Sequence, residues 1–419
     1  MPQKQQSAVH PRDWFPVAAA MIAIAWGGNE FTPLLVMYRA TSHFEQVVVN
    51  GLLGAYVIGI VPALLIAGPL SDLIGRRPTF LPAIPISLFG SVLMSLAPHH
   101  PVVIGAGRIF SGIALGLVMA VGSTWITELS AASGTDATAG PRRAGLCLTG
   151  GFLVGAGVAS ILAQWAPAPA HTPYVLHIIL TVFSGFWLLK APEINASELG
   201  TVKATWQTVG FRRFFQDLRI PAAAHKRFLR VVVPVAPWVF GCAGAAYAIL
   251  PQLLVASAGN TPIAFSGFMT VLTLGCGAGI QIVGKLIDTR ESARASVVAM
   301  AIITVGVAIG AVAASDLNIW IGILSAMLMG MGYGLALVAG LSEVQRIAQA
   351  DDLAGLTAVY YSVAYLGFFI PMAFAALNAR FSYTVLFSVG TVLALACLIA
   401  VTTAWRAHLP GVRHIAVAA

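Results

Sequence analysis

GPLSDLIGRRP, residues 68–78, is a short polar interruption between two long apolar runs, and its glycine, leucine and acid return in GKLID at 284–288. Gly68 and Gly75 allow tight backbone where a chain turns between two helices. Asp72 is placed to accept hydrogen bonds from the exposed start of a neighbouring helix, and Arg76 to reach an acid on another. A punctuation mark of this kind used twice predicts a chain made of two related halves.

Working outward, the runs on either side are long and apolar all round. Of 419 residues, 58% are hydrophobic and 9% charged, too few charges to build a water-facing surface. Twelve runs approach the roughly 20 residues that span a bilayer as helix. They lie near 14–38, 47–68, 79–98, 101–129, 144–166, 173–190, 229–256, 263–285, 295–314, 318–342, 353–377 and 382–405. A membrane barrel would show alternating segments of about ten residues instead. The expectation is an all-α membrane protein with twelve transmembrane helices in two six-helix bundles related by pseudo-twofold symmetry. The bundles are expected at 1–190 and 229–405, joined by a cytoplasmic loop at 191–228 and followed by a tail at 406–419. Within the loop, Phe211 to Arg219 is either an amphipathic turn on the inner leaflet or part of a plain tether.

The net charge of +8 is a topology signal. With the amino terminus inside, Arg76, Arg77, Arg142, Arg143, Lys190, the cluster from Lys203 to Arg230, Lys285, Arg290, Arg294, Arg346 and Arg406 all fall on one side. Only Arg39 and Arg380 fall outside, and Arg108 lies within a helix. This positive-inside bias predicts both termini in the cytoplasm of a cell (plasma or inner) membrane, and it argues against nucleic acid as a partner. The first run is too long for a cleavable signal and is expected to remain as helix one. Cys147, Cys242, Cys276 and Cys397 sit inside predicted helices, with neither disulfide nor metal-ligand spacing. No phosphate-binding G-x-x-x-x-G-K-[ST] loop occurs, and no nucleophile–base arrangement suggests an enzyme.

The repeat extends beyond one motif. Gly68, Leu70 and Asp72 match Gly284, Leu286 and Asp288 at one spacing; Gly116 matches Gly332 at the same spacing, and Glu128 matches Glu343 one residue short of it. Together these suggest duplication. Parallel repeats about an axis along the membrane normal place a substrate site at mid-membrane between the halves.

Twelve helices, a central loop and the form G-x-L-x-D-x-x-G-R-R, matched by Gly68, Leu70, Asp72, Gly75, Arg76 and Arg77, resemble the major facilitator superfamily across essentially the whole chain. The resemblance implies a monomeric transporter that works by alternating access, with no cofactor or metal and with a proton gradient as its energy source. It also implies a cytoplasmic latch that closes the halves on each other. Asp72, Arg76 and Glu128 carry that role in the first half. Asp288 and Glu343 carry it in the second, with Arg290 or Arg294 as basic partner and a looser latch, since nothing matches Gly75.

Of fifteen carboxylates, Glu30 is the one placed inside a helix, about 12 Å from the outer end at 1.5 Å per residue. Arg108 on helix four lies at a similar depth. A lone charge at mid-bilayer costs about 3 kcal/mol, so such residues usually face a cavity or one another. A Glu30–Arg108 pair that releases and takes up a proton is therefore expected; the alternative is a structural Glu30 satisfied by Asn29 or backbone. Arg108, Gly112 and Gly116 resemble the helix-four pattern of proton-coupled members. The helix-five pattern of antiporters is only partly kept, with Gly151 and Gly155 present but Ala156 where proline is expected. Cavity candidates are Trp26, Asn29, Thr124, Trp238, Gln252, Gln281, Tyr360, Tyr361 and Tyr365, while His177 is expected at the interface. Pro33, Pro62, Pro234, Pro237, Pro251 and Pro371 are expected to bend helices.

The leading expectation is an exporter exchanging small amphipathic molecules for protons. A symporter or uniporter importing a metabolite is the second, and a receptor or scaffold without turnover the third. Against a sugar porter, Leu73 stands where that branch carries arginine, and Ala191, Pro192, Glu193, Ile194 replace its longer signature.

Overall fold

In the computed structural model, which describes residues 10–136, 138–193, 220–289, 291–348, 353–407 and 409, the apolar runs form eleven helices long and apolar enough to cross a membrane and one shorter apolar helix, Thr172–Leu188. In the first half these are α1 Phe15–Thr41, α2 Gln46–Ile74, α3 Arg76–Leu96, α4 Pro101–Ala132, α5 Ala139–Trp165 and α6 Thr172–Leu188. In the second they are α7 Phe228–Leu253, α8 Pro262–Ile287, α9 Arg294–Asp316, α10 Ile319–Ile347, α11 Gly355–Leu377 and α12 Tyr383–Ala404. Phe211 to Arg219 and Arg290 lie outside the described residues. The apolar window of α1 is 94% buried and that of α12 only 28%. α1 is therefore a central helix, whereas α12 turns side chains such as Val392, Leu393 and Ile399 outward, as a lipid-facing helix does.

Glycine sets how closely the helices approach. A Cβ at Gly112 or Gly116 of α4 would strike the carbonyls of Tyr56 and Ile60 on α2, and one at Gly330 or Gly334 of α10 would strike those of Thr273 and Gly277 on α8. Gly112 and Gly330, like Gly116 and Gly334, are 218 residues apart, so this is the structural register of the repeat. The match of Gly116 to Gly332 is off by two, because Gly332 packs on Ile303 of α9 instead.

The turn at the opening motif is shorter than expected. α2 runs through Pro69 to Ile74, and only Gly75, at φ 103°, breaks it. Gly68 is an ordinary helical residue with open space where a Cβ would stand. Of the expected proline bends, Pro33 and Pro371 fall at short 3₁₀ turns and Pro251 follows a π turn, Ala245–Ile249. Pro62 and Pro237 sit inside unbroken helix, and Pro234 opens the α-helical part of α7 beyond another π turn.

α5 and α8 cross between the halves. Near Ser160 and Gly267 there is no room for a Cβ at Gly267, and a Cβ at Gly157 would still meet Val271 at 3.3 Å. Gly150 lies two turns from Gly157 on the same face of α5, and Gly275 and Gly279 continue the Val271 face of α8. All three have nothing within 4 Å of a Cβ position. The pair touches at one end and splays at the other, the end that carries residues 68–78, called here the loop face.

Candidate functional site

α1 breaks where its sequence passes Gly27-Gly28-Asn29-Glu30. Pro33 has no N–H to continue the ladder, and Thr32–Leu34 forms a 3₁₀ turn. Asn29 holds the break in place: its Nδ2 donates to the Phe152 carbonyl of α5 at 3.2 Å, and its Oδ1 accepts from Thr32 Oγ1 at 2.7 Å. Glu30, just beyond, is fully buried and neither carboxylate oxygen has a hydrogen-bond partner.

What faces Glu30 is His177 of α6, with Nδ1 3.6 Å from Oε1. His177 is fully buried, contrary to the interfacial position its nearness to the helix start suggested. Its Nε2 lies 3.0 Å from the Ala23 carbonyl and from Thr181 Oγ1, and its Nδ1 lies 2.7 Å from Ser91 Oγ. A carbonyl only accepts, so Nε2 carries the hydrogen and Nδ1 is left as an acceptor toward both Ser91 and the acid. Gly27 makes the arrangement possible, since a Cβ there would run into the imidazole.

Arg108 does not pair with Glu30, as the sequence led us to expect. The buried guanidinium lies between the rings of Phe31 and Tyr56, 4.7 and 4.6 Å from their centroids. Its one hydrogen bond runs from Nη1 to the Gly28 carbonyl at 3.1 Å, and Nε has none. Flanking π faces offset part of the charge.

Arg108 lines the blind end of a central cavity. An inner chamber of about 30 Å³ is bounded by Asn29, Thr32, Tyr56 and Arg108 from the first half and by Phe240, Tyr247, Tyr333 and Tyr365 from the second. It shares Phe152, Phe240, Leu274, Tyr333 and Tyr365 with a crevice of about 540 Å³ that runs to Thr127, Glu128 and Pro141 at the loop face. Of the cavity candidates, Asn29, Thr124, Gln281, Tyr361 and Tyr365 line one or both spaces. Trp26, Trp238, Gln252 and Tyr360 line neither. Trp26 is buried beside Glu30, Trp238 accepts from Cys242 through its carbonyl, and Tyr360 packs under Gly340 with its hydroxyl on the Ala336 carbonyl. The missed lining residues include five aromatics: Tyr56, Phe152, Phe240, Tyr247 and Tyr333 follow ordinary apolar spacing and carry no signal that separates cavity from core.

Each half has its own charge cluster at the loop face. Arg76 donates to Glu128 (2.8–3.3 Å) and to Asp72 (2.5 Å), while Glu193 accepts from the backbone N–H groups of Arg76 and Arg77 at the start of α3. Arg77 reaches the Leu189 carbonyl. In the second half Arg346 holds Asp288 (2.7 Å) and Glu343 (2.5 Å), and the buried Arg227 closes on Glu343 at 2.5 and 2.8 Å. Arg294, one of the two expected partners, donates to the carbonyls of Ile287 and Leu286 instead, and Arg290, the other, lies outside the described residues. The second cluster is thus the more buried of the two, not the looser. Neither cluster crosses to the other half in these bonds.

Apart from Tyr365 of α11, whose hydroxyl reaches the Met119 sulfur of α4 across the crevice at 3.3 Å, the crossing hydrogen bonds among the described residues sit at the opposite face. Asn50 of α2 donates to the Pro371 carbonyl of α11 and accepts from Gln252 of α7, both at 3.0 Å. Arg39 reaches Gln252 at 3.4 Å. Gln164 of α5 accepts from the N–H groups of Ile263 and Ala264 at the start of α8. The cavity is accordingly sealed at that face and open at the loop face.

The family model of the Major Facilitator Superfamily matches residues 17–257. Among curated proteins, probable polyol transporter 6 of Arabidopsis thaliana is 26% identical over 183 residues, 42% of this chain and 36% of that protein. Inositol transporter 4 of the same plant is 30% identical over 151 residues, 34% of this chain and 25% of that protein. The aligned stretches thus span about a third or less of these relatives. Among solved structures, the nucleoside transporter NupG superposes with a TM-score of 0.70 at 12% identity, over 92% of this chain and 98% of that one. The inward-open xylose transporter XylE from E. coli gives 0.67 at 11%, over 92% and 94%, and a D-xylose-proton symporter 0.67 at 14%, over 92% and 96%. At these identities the likeness is one of fold.

Proposed function

The chain belongs to the Major Facilitator Superfamily, and from that we propose that it is a secondary transporter that takes up a small organic metabolite together with a proton. The observation that carries the coupling is the Glu30–His177 pocket: a fully buried carboxyl without a hydrogen bond, 3.6 Å from an imidazole nitrogen that faces it as an acceptor. Such a group exchanges its charge for a proton rather than stay ionised away from water. Export was the leading expectation from sequence. The polyol and inositol transporters among the relatives and the proton symporter among the fold neighbours favour uptake over it.

In this proposal the positive-inside bias supports a cytoplasmic loop face, and the conformation described here is then the inward-facing one. In this reading Asn50, Gln252 and Gln164 hold the outer gate, and the loop-face clusters stiffen each half until it rocks closed. Ligand and proton meet at α1: the chamber, bounded by both halves, touches Asn29, and the proton pocket begins at the next residue.

The test is proton uptake into proteoliposomes loaded with a pH-sensitive dye, driven by externally added candidate substrates: polyols, pentoses, nucleosides and organic acids. Uptake that accompanies one of them and is lost in Glu30→Gln, with binding retained, is the expected result. Equal uptake in both proteins removes Glu30 from the coupling, and proton efflux on substrate addition restores the exporter reading.

A further inference from the structure

Resting on the uptake reading, we propose that the substrate is a planar organic anion, its carboxylate seated on Arg108 and its body among the aromatic rings of the cavity, rather than a neutral polyol. Arg108 is a fully buried cation with one hydrogen bond to a carbonyl and an unpartnered Nε, and no described carboxylate closes an ion pair with it. Glu30 is near enough to act on Arg108 electrostatically but closes no ion pair with it, and the rings on both faces compensate the buried charge only in part. Its edge borders a chamber of about 30 Å³, room for about two waters by the volume one water needs, or for one carboxylate. An arginine fork matches the two oxygens of that group in a way an ammonium does not.

The walls argue for what the anion is attached to. Phe240 stacks on Tyr365 and Phe368 at centroid distances of 4.3 and 5.0 Å, and with Phe152 and Tyr333 it forms the passage from chamber to crevice. A polyol needs a hydrogen-bond partner for each hydroxyl that gives up its water. Asn29 already spends its amide on Phe152 and Thr32. Ring faces, with the hydroxyls of Tyr56, Tyr247 and Tyr333 as the donors among them, suit an unsaturated or aromatic body that ends in an acceptor group. A proton would then accompany the anion for an electrostatic reason. The substrate carboxylate brings a second negative charge near Glu30, which makes the ionised form of Glu30 dearer and favours binding of both together.

The experiment uses the purified full chain and acid–amide pairs of one shape: benzoate with benzamide, phenylacetate with phenylacetamide, cinnamate with cinnamamide, alongside sorbitol and myo-inositol. Calorimetry is expected to show at least one acid binding tenfold or more tighter than its amide. Arg108→Gln should erase that preference and Arg108→Lys should keep part of it. Equal binding of acid and amide, a preference that survives Arg108→Gln, tighter binding of the polyols, or no acid binding at 10 mM each overturn the proposal. The acid–amide comparison in the unmodified chain stands even if the variants fold poorly. Anion binding without proton uptake would sink the symport reading and leave the anion site intact.

Discussion

At the scale of single residues, the proton pocket depends on an atom that is missing. Gly27 leaves the space that His177 occupies. Gly27→Ala is expected to displace the imidazole and cut substrate-coupled proton uptake by roughly tenfold, with substrate binding kept, since one lost proton-transfer partner typically costs 10²-fold or more and a displaced one less. Unchanged uptake in the dye assay would mean that His177 is only packing. Glu30 was legible from sequence because a lone acid inside an apolar run is conspicuous. His177 was not, since its burial depends on α3 and α1 covering α6 through Ser91 and Ala23, which no local pattern on α6 announces. The expected Glu30–Arg108 pair failed for a similar reason. Depth along two helices was read correctly enough to make them neighbours, but rotation about the helix axes turns Arg108 toward Phe31 and Tyr56.

At the scale of elements, the two loop-face clusters differ in burial, and their acids should differ in weight. Glu343 shares Arg227 and Arg346, and its side chain is 2% exposed, whereas that of Glu128 is 25% exposed. Removing one partner of a buried pair leaves an uncompensated charge and costs about 3–5 kcal/mol; a partly exposed pair is worth about 1 kcal/mol or less. Thermal unfolding in micelles should therefore fall much further for Glu343→Gln than for Glu128→Gln, and equal losses would show that burial does not decide the matter. The acids of both clusters were visible as repeated motif positions. Their second-half arginines were not, because both lie outside the loop itself: Arg227 comes from the start of α7 and Arg346 from the far end of α10. Helix existence was legible from apolar length alone; the break in α1 and the π turn that carries Tyr247 into the chamber wall answer to packing between halves.

For the whole molecule, the balance between the two gates rests on few bonds. Asn50 supplies two of those that cross between halves at the closed face. Hydrogen bonds between membrane helices contribute about 0.6–1.7 kcal/mol each, so Asn50→Ala should move the population toward opening at that face by about 1–3 kcal/mol, roughly 5- to 150-fold. Labelling of a cysteine placed beside Gln252 with an impermeant reagent measures it; an unchanged rate would place the gate elsewhere. The two-halved architecture was legible because duplication leaves matched residues, yet the register came out two residues off at Gly332, since glycines are frequent enough on α10 for a wrong one to match.

The splayed faces of α5 and α8 carry a trade-off between durability and speed. At Gly150, Gly275 and Gly279 the chain forgoes about 1 kcal/mol of helix propensity per site while gaining nothing from contact in the state described. Alanine at these positions should yield a protein that melts later and turns over more slowly, its added methyl groups acting as wedges that only the opposite half of the cycle meets. Melting temperature and transport rate would then move in opposite directions under one substitution, the mark of a residue retained for a conformation other than the one in which it is seen.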